Sequence, residues 1–320
     1  MYDYQGELPV SVIIPTFNRA SVLQSTASQF LKQDFGNYEI WIIDQSDAED
    51  AASNKRYIEH ASDRRLNYLH LTEKGPSNAR NEGLARARGK FVIFVDDDVI
   101  LLSPDFIRAH LQVYDDPRIG AVVGRHVERV LRMNSKNTAC HVSWTGRTIF
   151  NLFGTQRVRV GSCKGSNMSV RMETIRQVGG FDRRIKFLEE SDLAARIRAA
   201  GWHLVFEPSA EVVHLSAPAG GVREKNRVQA EIVRFECTAY YVLRHHGLIG
   251  VPPFFVMFFL IAISRSLRFR SLRTMPILCA AILRGFSTAQ KEPDHRIPNT
   301  ASRAAAEHNN LYELETPAAS

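Results

Sequence analysis

The chain has 320 residues, 44% of them apolar and 23% charged, which excludes a disordered protein and leaves room for one large domain with appendages or two small ones. Its net charge of +7 is local. Between Ala217 and Gly285 ten Lys/Arg face three Glu while the remainder is balanced, unlike the basic footprint of a nucleic-acid binder.

Cys140, Cys163, Cys237 and Cys279 show neither metal-ligand spacing nor a disulfide framework. The opening Met1–Glu7 is acidic and polar, unlike a secretory signal, so the expected compartment is the reducing cytoplasm.

Val10–Ile14 is the first predicted strand. The loop Pro15-Thr16-Phe17-Asn18-Arg19-Ala20 follows, with Asn18 placed to cap a helix over Arg19–Gln33. Glu39–Ile43 is a second strand, ending on Asp44, and Leu66–His70 a third. Such continuous apolar runs suit strands covered on both faces. Pro76–Arg88 reads as a helix, with Pro76 in its first turn and Gly89 just past its end. Ala79, Gly83 and Ala87 recur four apart, so one helix face can lie close to a sheet. Phe91–Val95 is a fourth strand and Ile119–Gly124 another. The alternation predicts an α/β fold.

Residues 126–163, rich in Arg, Thr and Ser, read as irregular structure around a site. A helix is expected at about Ser191–Ala200, and a strand-like Glu211–Val213 leads to His214. Beyond Ser216 the character changes. Pro218–Lys225 is Gly-rich and carries Arg223 and Lys225, fitting either a mobile flap or plain solvated charge. Gly220–Leu243 reads as a charged helix. Gly247–Ser264 is almost continuously apolar, contains Pro252-Pro253, and is slightly short of the roughly 20 residues that span a bilayer. Arg265, Arg268, Arg270 and Arg273 follow, then the apolar Met275–Leu283. This fits an in-plane or re-entrant membrane segment, with a helical hairpin on the domain or in a homodimer as the alternative. The expected divisions are a catalytic domain (1–216), a basic flap and helix (217–246), a membrane-associating segment (247–287) and a disordered tail (288–320).

The Phe91–Val95 strand runs straight into Asp96-Asp97-Asp98. Three adjacent carboxylates at a strand end repel one another and need a counter-charge. Mg²⁺ or Mn²⁺ supplies it, and the carboxyl end of a strand in an open α/β sheet is where ligands bind. A solvated acidic turn is the plain alternative, but Val99-Ile-Leu-Leu102 follows instead of a polar loop.

These pieces together resemble glycosyltransferase family 2, the inverting enzymes of the GT-A fold. The resemblance runs through Val12-Ile-Ile-Pro-Thr-Phe-Asn-Arg19, Ile42-Ile-Asp44, Gly75-Pro-Ser-Asn-Ala-Arg-Asn-Glu-Gly83 and Phe94-Val-Asp-Asp-Asp98. It continues through Gly165-Ser-Asn-Met168, Gly179-Gly-Phe-Asp182 and Glu189-Glu-Ser-Asp-Leu-Ala-Ala-Arg196, covering roughly Pro9–Leu215. It implies a Rossmann-like, mostly parallel central sheet flanked by helices. It also implies a UDP- or dTDP-linked sugar donor and a glycan or lipid-linked acceptor in surface-polysaccharide synthesis.

By the same resemblance, Pro15, Thr16, Asn18 and Asp44 would hold the nucleoside, with Asp44 on the base. Arg80 would lie near the nucleotide, with helix-surface charge as its alternative. Asp98 would bind the metal, Asp96 the metal or ribose, Asp97 would sit beside them on the nucleotide-sugar, and His214 would be a third ligand. Gly165, Ser166, Asn167, Glu189 and Asp192 would shape the acceptor side.

Inverting transfer needs a carboxylate to take the acceptor proton. The family usually places an Asp two residues before an Asp-Leu. Here Glu190 precedes Asp192-Leu193, one methylene longer. Glu190 is the expected base and Glu189 the second choice; both also favour the start of the following helix. The apolar tail implies a cytoplasmic protein peripheral or monotopic at the inner membrane. A nucleotidyltransferase or dinucleotide-dependent oxidoreductase would need a glycine-rich loop after the first strand, which Pro15–Arg19 lacks. A catalytically inactive relative serving as a membrane-bound assembly partner is the remaining alternative, allowed by the glutamate at the base position.

Overall fold

The structure, a computed structural model, describes residues 8–127, 138–217, 226–268 and 274–297. The first stretch alternates strands with helices: β1 (Val10–Thr16), α1 (Ala20–Phe30), β2 (Tyr38–Asp44), α2 (Ala48–Ala61), β3 (Leu66–His70), α3 (Pro76–Arg86) and β4 (Phe91–Val95). These four strands pair in parallel in the order β3-β2-β1-β4. Side chains alternate between two apolar layers, as the two-residue period of a strand requires. Val12, Ile14, Ile93 and Val95 face one layer with Leu23, Phe30 and Phe106; Ile13, Val92 and Phe94 face the other with Ala79, Leu193 and Ile197.

Next come β5 (Val99–Leu101), α4 (Phe106–Leu111), β6 (Ile119–Val127), β7 (Ala139–Val142), β8 (Thr148–Asn151), β9 (Val158–Arg159) and β10 (Asn167–Arg171). The region after them holds α5 (Met172–Val178), α6 (Glu189–Ala199) and β11 (His203–His214). The large sheet runs β3-β2-β1-β4-β10-β6-β11-β5, with β9 on β11, while β7 and β8 form a separate hairpin. β10 lies antiparallel between β4 and β6, so the sheet is mixed: β3-β2-β1-β4 is parallel throughout, and β6 and β11 form a second parallel pair. The stretch expected to be irregular over 126–163 instead contains β7, β8 and β9 among its described residues.

The small residues of α3 do what their spacing requires. Ala79 is fully buried, and a Cβ on Gly83 would collide with Ile13. Gly89, expected to close the helix, does not. The helix ends at Arg86, Ala87 is already extended, and Gly89 is the close-approach residue against the β1 backbone at Ser11. Asn18 does not cap α1 either: the helix starts after Arg19 without a side-chain cap.

The C-terminal part is helical. α7 (Arg227–Arg268) breaks at Gly247, whose φ of 63° interrupts the helix, and Pro252 and Pro253 follow shortly after. This run is thus two helices meeting at Gly247, beside the expected division between 246 and 247. α8 (Thr274–Ala289) packs back on both halves around Phe235, Val242, Phe254, Phe258, Leu278 and Ile282. A Cβ on Gly285 would strike the Glu236 carbonyl, which shows how closely the helices cross. The inner half of α7 docks on the α/β domain: Tyr240 Oη donates to Asp182 Oδ2 at 2.9 Å, and His245 Nε2 lies 2.8 Å from Asp192 Oδ1.

Residues 290–297, expected in a disordered tail, run back along the domain. Gly180 and Arg183 donate backbone hydrogen bonds to the carbonyls of His295 and Asp294, and Ile297 packs on the core. The expected flap, Pro218–Lys225, lies outside the described residues, as do Arg270, Arg273 and the tail beyond 297.

Candidate active site

The carboxyl ends of β1 and β4, the start of α3, the start of α6 and the inner half of α7 enclose a cleft of about 570 Å³. Pro15, Thr16, Arg80, Asp96, Asp97, Asp98, Glu189 and Glu190 all line it, so most of the expected site comes together.

The three aspartates divide by direction. Asp97 turns away from its neighbours: Thr16 Oγ1 donates to Oδ2 at 2.7 Å and Arg19 Nη1 to Oδ1 at 3.0 Å. Burial raises its pKa to about 6, against the pull of Thr16 and Arg19. Asp98 also meets Arg19 Nη1, at 3.2 Å, and accepts a hydrogen bond from the Ala217 backbone at 2.8 Å. Burial works against its charge, but His214, Ala217 and Arg19 outweigh that and bring it to about 2.

His214, at the end of β11, closes the group. Its Nε2 lies 3.1 Å from Asp98 Oδ1 and 3.5 Å from Asp96 Oδ2. Ligand atoms from Asp96, Asp98 and His214 fall within 4.8 Å of one another. Asp98 Oδ1 and His214 Nε2 are buried without a well-formed hydrogen bond. Burial alone would lower the imidazole pKa, yet the two carboxylates raise it to about 9. Two carboxylates and an imidazole converging on one point, with uncommitted buried atoms, are a donor set that fits Mn²⁺ or Mg²⁺.

Arg80 is not a surface charge. It is buried, with Nη1 2.9 Å from Glu189 Oε1, and Nη2 3.4 Å from Glu190 Oε1 and 3.6 Å from Asp96 Oδ1. Burial opposes its charge, but these carboxylates hold its pKa above the usual arginine value. Glu190 is also shifted upward, which for a carboxyl group favours the neutral form. Burial and the charge of Glu189 raise its pKa to about 7, in spite of Arg80. A carboxylate poised near neutrality is suited to take a proton from a hydroxyl. The Gly165 backbone N–H donates to Glu190 Oε1 at 3.2 Å, and a Cβ on Gly165 would strike both that oxygen and the Arg80 guanidinium. Glycine is required there by space.

Other expected residues lie behind the cleft. Asp44 is fully buried, accepting from the Ser46 backbone, Asn54 Nδ2 and Tyr68 Oη, so both oxygens are bound within the protein and Asp44 does not line the cleft. Asn18 joins two loops: its Nδ2 donates to Asp47 Oδ2 and its Oδ1 accepts from the Asp47 backbone. Its φ of 52° is one that asparagine tolerates. Ser166 bonds His126, and Asn167 bonds His110 and the carbonyls of Arg125 and Ala210. Asp192 is bound by Arg196 and His245. These groups brace the site.

Arg19 clamps Asp97, Asp98 and the Ala217 carbonyl, a position that sequence reading did not assign. Its place directly after Asn18 in the first loop was the available signal. Lys186, Phe187 and Arg234 complete the far wall. Arg234 comes from α7, more than a hundred residues after the acidic cluster, and no local pattern marks it.

Residues 11–175 match the family model described as Glycosyl transferase family 2. The chain is 39% identical over 95 residues to the GalNAc(5)-diNAcBac-PP-undecaprenol beta-1,3-glucosyltransferase of Campylobacter jejuni, covering 29% of this chain and 31% of that protein. It is 30% identical over 208 residues to the pre-mycofactocin glycosyltransferase of Mycobacterium tuberculosis, covering 64% of this chain and 42% of that protein. The matches thus span less than half the length of these curated relatives. Among solved structures, a mannosyltransferase from Pyrobaculum calidifontis in complex with GDP-Man and Mn²⁺ superposes with a TM-score of 0.55 at 20% identity, covering 98% of this chain and 84% of that one. That likeness is one of fold.

Proposed function

This chain belongs to glycosyl transferase family 2, and we propose that it is a metal-dependent inverting enzyme that moves a sugar from a UDP- or dTDP-linked donor to a hydroxyl of a glycan or lipid-linked acceptor. The observation that carries this reading is the opposition, within one cleft, of the Asp96–Asp98–His214 group and Glu190, joined through Arg80.

In this reading Asp98, Asp96 and His214 hold Mg²⁺ or Mn²⁺, which when bound would neutralise charge on the leaving diphosphate. Pro15, Thr16 and Gln45 line the donor side, and Arg19 Nη1 bridges Asp97 and Asp98. Glu190 takes the acceptor hydroxyl proton while the acceptor oxygen bonds to the anomeric carbon. The bond from that carbon to the diphosphate oxygen breaks on the opposite face, releasing the nucleoside diphosphate and inverting the anomeric centre. Asp44 and Asn18 support the nucleoside-side loops from behind, and Asp192 fixes α6 beneath the base.

Membrane association supports a lipid-linked acceptor in surface-polysaccharide assembly. Arg227–Arg268 is long and apolar enough, by length and composition, to cross a membrane. Leu248, Ile249, Val256, Leu260 and Leu267 are each more than 60% exposed on its outer half, a continuous apolar face of the kind that binds a membrane or a partner. The Campylobacter relative is named for an undecaprenyl-diphosphate-linked glycan, which agrees with this acceptor class. Turnover of UDP- and dTDP-sugars with Mn²⁺, and with the metal chelated, tests the reading. Mn²⁺-dependent release of nucleoside diphosphate supports it, and metal-independent release opposes it.

A further inference from the structure

The catalytic cleft does not end at Phe187 and Arg234. Both side chains also line a second cavity of about 300 Å³, bounded by the turn between β7 and β8 and by α7. That chamber in turn shares Met257 and Ile261 with a groove of about 610 Å³ on the outer half of α7. Cleft, chamber and groove therefore adjoin in series, each sharing wall residues with the next.

The chemistry changes along it. Arg147, Arg234 and Arg265 line the chamber against a single carboxylate, Glu231. The Arg265 Nε lies 3.4 Å from Glu231 Oε1, yet Arg265 Nε and Glu231 Oε2 are buried without a hydrogen bond. One carboxylate cannot balance three guanidinium groups, so the chamber favours an anion. Arg234 stands at the junction with the cleft, its guanidinium 5.5 Å from the Phe187 ring centre. The groove is walled by Pro253, Val256, Met257, Leu260 and Ile261 and opens on the apolar face of α7, where Val256 is 66% and Leu260 61% exposed.

We infer that this run is the acceptor's binding track. The chamber takes a phosphate or diphosphate, and the groove takes the hydrocarbon chain esterified to it. The sugar on that phosphate then reaches the cleft beside Glu190. The inference rests on the transferase reading above and narrows its acceptor to a phosphate-linked lipid. Continuity with the cleft and the order of charge followed by apolar wall select this occupant. A soluble glycan would use neither, and a free inorganic anion would leave the groove unused.

The test uses the full chain with UDP and Mn²⁺ saturating the donor side, and three probes: farnesyl diphosphate, inorganic diphosphate and farnesol. Farnesyl diphosphate is expected to bind at least about tenfold more tightly than either other probe. Arg147→Gln and Arg265→Gln are each expected to weaken it about tenfold. Val256→Gln with Leu260→Gln is expected to do the same, with UDP affinity unchanged in all three. Arg147 is exposed, so its variant remains informative if Arg265→Gln folds poorly. Equal binding of farnesol would reduce the run to a greasy surface, and equal binding of inorganic diphosphate would reduce it to an anion site; either overturns the inference. So would wild-type affinity in the variants, or a concentration-dependent dimer that excludes farnesyl diphosphate. Failure of the wild-type chain to bind either UDP–Mn²⁺ or dTDP–Mn²⁺ would instead remove the transferase reading, which separates the two failures.

Discussion

Arg80 Nη2 lies 3.4 Å from Glu190 Oε1 and, on its other side, 3.6 Å from Asp96 Oδ1. One buried guanidinium therefore joins the expected base to the acidic cluster on the donor side. Glu189 lies 2.9 Å from its Nη1.

Arg80→Met should leave Glu189 and Glu190 without their cationic partner inside the cleft. Removing one partner of a buried pair costs about 3 kcal/mol or more. The deficit is expected to shrink at low pH. Glu190 has a raised pKa, and once protonated it no longer needs the cation. Denaturant unfolding at pH 8 and pH 5 measures the difference; an equal deficit at both would show that Arg80 acts by packing alone.

The raised pKa of Glu190 sets the direction of the pH profile. A general base works deprotonated, so kcat/KM is expected to rise as pH increases through about 7 and then level. The Glu190→Gln variant should lose this limb together with most of its rate, a loss on the order of 10²–10⁴-fold. A flat profile from pH 5.5 to 8 in the wild-type protein would count against Glu190.

Gly165→Ala places a methyl group where Glu190 Oε1 and the Arg80 guanidinium already sit. Displacing a reacting group by about 1 Å costs roughly 10²-fold in rate. The expected result is a large fall in kcat with little change in UDP affinity. A matched fall in both would point to a general collapse of the cleft.

Phe259 and Leu267 are half or more exposed on α7 and do not line the groove. Phe259→Glu with Leu267→Glu should move the protein from anionic vesicles to the supernatant in a sedimentation assay, with donor turnover in solution unchanged. Undiminished vesicle binding would place the membrane contact elsewhere.

Much of the fold was legible because its signals are local. Phe91–Val95 is an unbroken apolar run and Val10–Ile14 is broken only by Ser11, and both are central strands. Ala79 and Gly83 marked the close face of α3. β10 was not legible: Asn167, Ser169 and Arg171 look like a polar turn. They sit in a buried strand because His110, Tyr114 and backbone carbonyls satisfy them. Asp98, Asp96 and His214 lie close together, since strand ends deliver them to one place. Asp44 shows the opposite case. A motif position implied contact with a base, but Asn54 and Tyr68, whose partnership depends on the packing of α2 and β3, turn it inward. The roles of Arg19 and Arg234 depend on long-range contacts with Ala217 and Phe187 that no spacing encodes.

The most direct test of the central claim pairs metal with base in one measurement. Donor turnover and UDP binding are followed in the wild-type chain and in Glu190→Gln, each with Mn²⁺ and with chelator. Turnover is expected only in the wild-type chain with Mn²⁺, while Glu190→Gln with Mn²⁺ binds UDP as tightly as wild type and does not transfer. Undiminished transfer by Glu190→Gln, or turnover that survives chelation, would contradict the assignment of Glu190 and of the Asp96–Asp98–His214 group.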